Sequence, residues 1–590
     1  MAARRPNPTR SGSGASLARW TLLVGVAVAV TVLAALFRYN NPDDTVVGLS
    51  DDHFYYAIRG WQIWLGEWPD RDYVDAGAPL ASAISAALRA ASAYGVWPEY
   101  TFSTLALALG AGLTCLAAAR ASNSTVLGAL AAGFQVALAP RLYNYPKIVV
   151  YAVAIPLIWF WIDGPRRGRT WLLAGVTAVA FLLRHDHGVY VAGAVGLALL
   201  LTRTIPWRDT LRHGATYVLA TGLLLAPYLG YLQLHGGVVT HMETGYRWSE
   251  RDRGRAPLVL PAFDWRRPSD PVHDDAPAAE WWNHAPFPEL SAHGPWWLFW
   301  LAVLLPIASA LLLLLRPPEA MRWPSEPVKI GVVIALGLAL DHGFLRGNLP
   351  VRIPDVSVPI AILGAWAAAT VGRTVRAGRL EMLGRSWHVP GLLRLVVQPV
   401  TLALALVTLV ILMPTLREGL EASSLLQGPE RIRRDAVEVT ARLGQVWDLE
   451  RWATMSPRTD VQLARYVAAC SAPDDRVLVT PYMPAVVGLA QRGFAGGQGD
   501  LRAGFTATDA EQALTLARLR DQSVPIVIGP PPEEWDGFRT SFPAIAAWLD
   551  SHYLNHGERH VGDSASVTLL TARDRHATRT WNPLRAPCFR

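Results

Sequence analysis

The stretch VGLSDDHFYYAIRGWQIWLGEWPDRDYVDAGAPL, from Val47 to Leu80, places five acids shortly after one of the most apolar segments of the chain: Asp51, Asp52, Asp70, Asp72 and Asp75. That apolar segment runs from Trp20 to Phe37, has arginines upstream and is followed by no A-x-A-like cleavage site. We therefore expect an uncleaved first transmembrane helix, with an acidic and aromatic loop directly after it.

The composition indicates a membrane protein. Of the 590 residues, 51% are hydrophobic and only 17% are charged, whereas soluble domains have about 25% charged residues. The 24 tryptophans fit a polytopic protein with aromatic rings at both bilayer interfaces. The net charge of +7 comes largely from Lys and Arg in short loops between apolar segments, which predicts membrane topology and no nucleic-acid partner.

Eleven apolar segments are predicted to be membrane-spanning helices, for which about 17–20 residues are needed; several are short, so their predicted ends are accurate only to a few residues. They are 20–37, 101–119, 124–140, 147–163, 170–184, 187–203, 213–234, 295–315, 328–343, 355–372 and 395–414. A twelfth segment, 79–94, is short, rich in small residues and carries Arg89, so on its own it could either span or lie on the surface.

The positive-inside rule decides this alternative. If 79–94 lies on the surface, the following basic residues all fall on the cytoplasmic side: Arg4, Arg5, Arg10, Arg120, Arg166, Arg167, Arg169, Arg203, Arg208, Arg212, Arg316, Arg322, Lys329 and those of the segment 372–385. If it spans, most of them move to the other side. We therefore predict a multi-pass protein of the cell membrane with a cytoplasmic amino terminus and an extracytoplasmic carboxyl terminus.

The chain is predicted to divide into three parts. Residues 1–16 form a disordered basic leader, 17–415 a transmembrane domain, and 416–590 an extracytoplasmic α/β domain. The last part contains three strand-like runs, at 476–480, 524–529 and 566–572, and a helical pattern at 509–522. Its glycine-rich segment GFAGGQGD (493–500) lacks the Lys-Ser/Thr pair of a P-loop, so we expect no nucleotide there. Of the three cysteines, at most Cys470 and Cys588 could pair.

With this topology, the segments that carry clusters of ionisable and aromatic residues all face outward. They are the first outer loop 38–100, 141–147, 184–187, the long outer loop 235–294, and 341–355. Loops of this length and polarity are where functional sites usually lie. We therefore predict a site on the extracytoplasmic face.

The first outer loop resembles the GT-C superfamily of integral-membrane glycosyltransferases, which includes the protein O-mannosyltransferases and the lipid A aminoarabinose transferases. The shared pattern is an acidic pair, an aromatic cluster, a small helix, a glycine, an extended stretch and Pro-Leu. Here it reads Asp51-Asp52, Phe54-Tyr55-Tyr56, Gly66 and RDYVDAGAPL. The surface helix at 79–94, the long outer loop and the outer tail match the same layout, so the resemblance implies a GT-C-like fold.

The resemblance also implies an activity. A hexosyl- or pentosyltransferase of this class moves a sugar from a polyprenyl-phosphate-linked donor to a glycan, lipid or protein acceptor, beside the membrane lipids. Asp51 matches the first acid of the motif and is the expected general base, while Asp52 orients the acceptor next to Tyr55 and Tyr56. The alternative without a catalytic role is that both acids are solvated loop residues, or that one of them caps the helix beginning near His53.

Three further segments offer groups for the donor phosphate or sugar. Segment 141–147 supplies Arg141, Tyr143 and Lys147; FLLRHDHGVY (181–190) supplies Arg184 and His187; and 341–355 supplies Arg346 and Arg352. Cationic side chains can stabilise the charge of a leaving phosphate. The alternatives are snorkelling to the interface, a zinc site without a convincing third ligand, and ordinary ion pairs.

Many relatives carry a second acid in the loop at 141–147, and this chain has none. We therefore expect no cofactor, and a divalent metal is possible but not favoured. Two rival functions remain open from the residues: a transporter or flippase of lipid-linked sugars, and a non-catalytic envelope assembly protein. A transporter would place ionisable residues near the bilayer midplane.

Overall fold

A computed structural model describes residues 13–38, 49, 51–75, 77–91, 96–255, 260, 294–346, 352–382, 385–388, 391–443, 448–499, 501, 508–562 and 565–590. The predicted leader falls almost entirely outside these residues, as do most of 256–293 in the long outer loop.

The protein is a polytopic helical membrane protein, as predicted. Within the described ranges, each of the eleven predicted spans falls on a helix: α1 (Ser13–Arg38), α4 (Trp97–Ser122), α5 (Thr125–Ala137), α6 (Tyr145–Ile162), α7 (Arg167–Leu183), α8 (His185–Leu201), α9 (Trp207–Leu234), α11 (Gly294–Leu315), α12 (Glu326–Asp341), α13 (Ser357–Ala377) and α14 (Gly391–Ala422). Eight of these are long and apolar enough to cross a membrane.

The remaining three, α5, α7 and α8, are shorter, with 13, 17 and 17 residues. Helix α5 ends well before the predicted limit of 140. The Ser124 side chain caps its start by accepting from the Leu127 amide. At the other end, Ala139 has a left-handed backbone (φ 46°) directly before Pro140, which lacks the N–H that would continue the helix.

The helices differ in how they meet their surroundings. Helices α1 and α14 expose many large apolar side chains, among them Leu22 and Leu402, which suits contact with lipid tails. Helix α6 is buried instead, and its Trp159 and Trp161 lie at the centre of the domain. Their indole N–H groups are satisfied by the Lys329 carbonyl and the Thr170 hydroxyl, each at 3.0 Å, as buried polar groups require.

Two short helices lie in the first outer loop: α2 (Asp51–Trp64) and α3 (Pro79–Ala90). With 12 residues, α3 is about 18 Å long and too short to cross a hydrocarbon core of about 30 Å. This agrees with the expectation that 79–94 does not span. It packs closely on α2, because a side chain at Gly60 would meet the Ala86 nitrogen at 2.8 Å. A further helix, α10 (Val238–Arg255), begins the long outer loop.

After α14, which crosses the predicted boundary at 416, the tail folds as an α/β unit. Its strands are β3 (Arg476–Val479), β4 (Gly493–Phe494), β5 (Ile526–Gly529), β6 (Tyr553–Val561) and β7 (Ala565–Ala572), in the order β4-β3-β5-β7-β6. β3 pairs in parallel with β4 and β5, whereas β7 is antiparallel to β5 and β6. All three strand-like runs of the sequence lie on strands of this sheet.

Smaller elements complete the described chain. Hairpin strands β1 (Arg379–Met382) and β2 (Arg385–His388) precede α14, and β8 (Arg579–Trp581) and β9 (Ala586–Cys588) end the chain. The tail helices are α15 (Pro429–Leu443), α16 (Leu449–Met455), α17 (Thr459–Cys470), α18 (Pro484–Ala490), α19 (Asp509–Asp521), α20 (Trp535–Ser541) and α21 (Pro543–His552). A disulfide joins Cys470 to Cys588.

Candidate active site

The acidic pair lies at the first turn of α2, where the exposed amides of a helix start favour negative charge. Asp51 is the first residue of this helix, and its side chain is outside the described atoms. The carboxylate of Asp52 accepts a hydrogen bond of 2.5 Å from the Tyr482 hydroxyl through Oδ1, and its Oδ2 lies 3.9 Å from Arg141 Nη1. The Asp52 side chain is 39% exposed, so this carboxylate remains accessible to a substrate.

Two buried phenols lie beside this carboxylate. Tyr56, one helical turn after Asp52, packs with Tyr143, Ala78 and Ala81. Burial raises the pKa of the Tyr56 hydroxyl, although the charge of Arg184 acts in the opposite direction. Tyr56 therefore stays neutral and can donate a hydrogen bond at the pH of the cell.

Tyr55 contacts a different set of side chains. The Arg59 guanidinium lies 4.1 Å from the centre of its ring, and the Tyr482 ring lies 6.1 Å away on the tail domain. The structure thus places Tyr56, but not Tyr55, in contact with Tyr143.

Lys147 occupies the first turn of α6 and is almost fully buried, which excludes the snorkelling interpretation for this residue. Its Nζ lies 2.5 Å from Oδ2 of Asp355 and 5.6 Å from the centre of the Tyr143 ring. The charges of Arg184 and Arg352 also act on it. Segments far apart in sequence therefore converge at the amino-terminal end of α6.

Arg184 joins α7 to α8 and donates from Nε to Asp186 Oδ1 at 2.9 Å. The same oxygen accepts from the His187 amide at 3.0 Å. The buried His187 ring is hydrogen-bonded through Nδ1 to the Tyr151 hydroxyl. His187 is thus held by its neighbours, whereas the Arg184 side chain remains 23% exposed and can reach a ligand.

The structure gathers most of the predicted site residues, namely Asp52, Tyr56, Arg141, Tyr143, Lys147, Arg184, His187 and Arg352, into one region, which we call the outer-face cluster after the face that the sequence predicts for it. The side chain of Arg346 falls outside the described atoms. Three further members are Asp186, Asp355 and Tyr482; sequence reasoning considered Asp186 only as part of the zinc alternative and assigned no role to Asp355 or Tyr482. Asp355 is the last residue of the segment 341–355, which the sequence analysis selects for its arginines, so a local signal for this residue was present. Nothing local marks Tyr482.

A second polar group lies beside the cluster. Asp70, whose backbone is left-handed (φ 63°), contacts the His241 ring nitrogen Nδ1 through Oδ1 at 2.7 Å. Its other oxygen is buried and has no hydrogen-bond partner among the residues that the structure describes. The His185 ring lies 5.2 Å from that of His241, and the Tyr228 hydroxyl lies 3.1 Å from His185 Nε2. This group connects the first outer loop to α10 of the long outer loop.

Asp75 has a structural role. Its Oδ1 accepts from Arg59 Nη1 at 3.1 Å and its Oδ2 from the Ala78 amide at 3.2 Å, with both charged side chains buried. It therefore joins the extended stretch of the first outer loop to α2 and α3.

Among the side chains that the structure describes, no three His, Cys, Asp or Glu residues lie close enough together to hold a metal ion. The side chain of Asp51 is not among them, so the metal question stays a prediction. Cys115, a free cysteine, is buried in α4 away from the outer-face cluster.

Fold and cluster together define a multi-pass helical membrane protein with an ionisable centre at the ends of its helices. No protein-family model and no curated protein matches the chain. Among solved structures, it is similar to the crystal structure of ArnT from Cupriavidus metallidurans bound to undecaprenyl phosphate, with 13% identity and a TM-score of 0.45 over 94% of this chain and 98% of that one.

Proposed function

We propose that this protein is a membrane glycosyltransferase that moves a sugar from a polyprenyl-phosphate-linked donor to an acceptor on the extracytoplasmic face. The observation that carries the proposal is the outer-face cluster. It places an accessible carboxylate, two neutral phenols and several cations together at helix ends, beside the surface where a lipid-linked substrate lies.

The carboxylates serve the acceptor in this mechanism. An acceptor hydroxyl attacks the anomeric carbon of the donor sugar while its proton passes to Asp51, the general base. Asp52 accepts a hydrogen bond from the acceptor and orients it. The bond between the anomeric carbon and the phosphate oxygen breaks, and polyprenyl phosphate leaves with the electron pair.

The cations serve the leaving group. Arg184 and Arg141 are partly exposed and can donate to phosphate oxygens, a geometry that guanidinium groups match well. The buried Lys147, paired with Asp355, adds positive charge near the proposed position of the donor phosphate. Charge stabilisation at the position where the phosphate develops its charge is usually a large part of catalysis. These side chains take the role that a divalent ion has in other phosphate chemistry.

Two features support the proposed extracytoplasmic side. The tail domain contains the Cys470–Cys588 disulfide, and disulfides persist in oxidising compartments. The tail also contacts the first outer loop, so both lie on the same side. The amino terminus, with the basic loops, is then cytoplasmic.

The flippase alternative fits the charge placement less well. Lys147 lies in the first turn of its helix and Arg184 between two helices, whereas a transporter concentrates such residues near the bilayer midplane. An enzyme that acts at the membrane surface needs its charged residues at the ends of its helices, which is where Lys147 and Arg184 lie.

The proposal is tested with the purified protein in lipid nanodiscs, supplied with polyprenyl-phosphate-linked sugars and candidate acceptors, by measuring release of polyprenyl phosphate. Arg184→Gln is expected to lower release strongly. Arg212→Gln, which removes an exposed arginine on the predicted cytoplasmic side, is the matched control and is expected to leave release unchanged. Movement of the intact donor across a vesicle membrane without release would instead support the flippase.

A further inference from the structure

The contact between Tyr482 and Asp52 joins two parts of the chain that the sequence keeps 430 positions apart. Tyr482 lies in the tail, between β3 and α18. We propose that the tail domain is a component of the active site and that Tyr482 is a positioning residue that holds Asp52 toward the acceptor. This inference rests on the proposed function.

The tail is fixed to α2 by polar contacts. Arg476, at the start of β3, donates to Glu67 at 2.6 Å and to the Gln62 side chain at 3.2 Å. Gln62, fully buried, donates in turn to the Phe494 carbonyl at 3.1 Å. Because burying and pairing these groups demands a defined geometry, the tail sits on α2 in one orientation rather than loosely.

The glycine-rich segment 493–500 forms part of this contact. The Gly497 carbonyl accepts from the Val74 amide at 3.2 Å. Gly497 has φ 69°, and a side chain there would meet the Asp72 carbonyl oxygen at 2.6 Å. At Gly499 an added carbon would lie 2.9 Å from the Tyr55 ring. The glycines therefore permit close approach of the tail to the first outer loop, which gives this segment a role that involves no nucleotide.

This docking sets the direction of the Tyr482 hydroxyl. The Tyr482 ring lies against Tyr55, whose ring is held in turn by the Arg59 guanidinium. A hydroxyl that donates to a carboxylate forms one of the stronger hydrogen bonds in proteins. With Oδ1 of Asp52 occupied in this way, Oδ2 is directed toward Arg141 and the acceptor.

The test compares two tail tyrosines, each of which loses only its hydroxyl. Tyr482→Phe is expected to lower kcat/KM for the acceptor about 10–100-fold, the range for a hydrogen bond to a charged group, and to leave KM for the donor unchanged. Tyr553→Phe removes a buried hydroxyl that donates to the Val524 carbonyl at 2.9 Å, inside the tail, and is expected to change neither constant.

A mutant cycle separates positioning from general damage. In an Asp52→Asn background, Tyr482→Phe is expected to cost little more, because the two residues act through one hydrogen bond. Full acceptor kcat/KM in Tyr482→Phe, or an equal loss in both backgrounds, would overturn the inference while leaving the glycosyltransferase proposal standing.

A readout independent of activity tests the same contact. Hydrogen exchange at residues 51–56 is expected to be faster in Tyr482→Phe than in the wild type, and unchanged in Tyr553→Phe. Unchanged exchange in both variants would contradict the inference. Absence of any transfer by the wild type would instead contradict the proposed function, whatever the exchange shows.

Discussion

Lys147 and Asp355 form an ion pair of 2.5 Å at the amino-terminal end of α6, although 208 positions separate them. The two side chains are only 3% and 13% exposed. A buried pair of this kind adds little net stability, but removing one partner leaves the other charge uncompensated. The pair therefore allows a structural role of Lys147 to be separated from a catalytic one.

Lys147→Met alone is expected to destabilise the protein by about 3–5 kcal/mol, because Asp355 then stays buried and unpaired. The double variant Lys147→Met/Asp355→Leu should recover most of that stability in thermal melting. It should not recover sugar transfer, because the positive charge near the donor phosphate is still missing. Full transfer by the double variant would show that Lys147 is only structural.

How far the sequence predicts this fold depends on the range of the interaction. Apolar segments and strand-like runs are local signals, and the predicted spans and the tail strands lie on helices and strands of the structure. The early end of α5 is local too, since Pro140 was visible, but hydropathy does not register a left-handed residue such as Ala139. Local signals therefore give the elements with errors of a few residues at their ends.

The candidate site divides in the same way. Asp52 and Tyr56 were found because they belong to the acidic and aromatic motif of the first outer loop, and Lys147 because its segment lies on the same predicted face. The partners Asp355 and Tyr482 come from distant segments and meet them only after folding. A pairing over hundreds of positions leaves no periodicity in one sequence, so neither contact was predictable from it.

The second prediction concerns pH and the pair Asp70–His241. Burial raises the pKa of Asp70. Burial alone would lower the pKa of His241, but the hydrogen bond to Asp70 and the charges of Asp70 and Asp75 outweigh it and raise this pKa. A raised histidine pKa gives stability that is full below about pH 6.5 and is lost as pH rises through the folded-state value. The raised pKa of Asp70 also lowers stability as pH rises, but this loss begins near the unfolded-state value of about 4, so the change near neutrality comes from His241.

Helix α10 should therefore loosen from the first outer loop as pH rises through neutrality. Hydrogen exchange at residues 238–250, corrected for intrinsic rates between about pH 6 and about pH 9, measures this. Asp70→Asn removes the charge that raises the His241 pKa and should flatten the pH dependence. Protection that increases with pH, or an identical slope in Asp70→Asn, would contradict the assignment.

Topology gives a third prediction. Gly168→Cys, in the first turn of α7, and Glu533→Cys, in the tail, should be labelled from opposite sides of the membrane by an impermeant thiol reagent. The native cysteines give little background, because Cys115 is buried and the other two form the disulfide. Labelling of both positions from outside would contradict the predicted orientation.

A fourth prediction concerns metals. Because cationic side chains stand at the proposed phosphate position, transfer should survive EDTA at concentrations that remove divalent ions. Activity of the chelated enzyme is compared with and without added magnesium or manganese. A large loss that either metal restores would show that Asp51 and Asp52 hold an ion.

The central claim is that a carboxylate at the start of α2 takes the proton of the acceptor, and Asp51→Asn tests it most directly. The change keeps the shape of the side chain and removes the proton acceptor, so turnover should fall by about 10²–10⁴-fold with little change in thermal melting. Asp52→Asn should cost less. Asp72→Asn, which alters an acid paired with Arg71 at the surface, should cost least. Full turnover by Asp51→Asn, measured as sugar transfer from a polyprenyl-phosphate-linked donor, would contradict the mechanism.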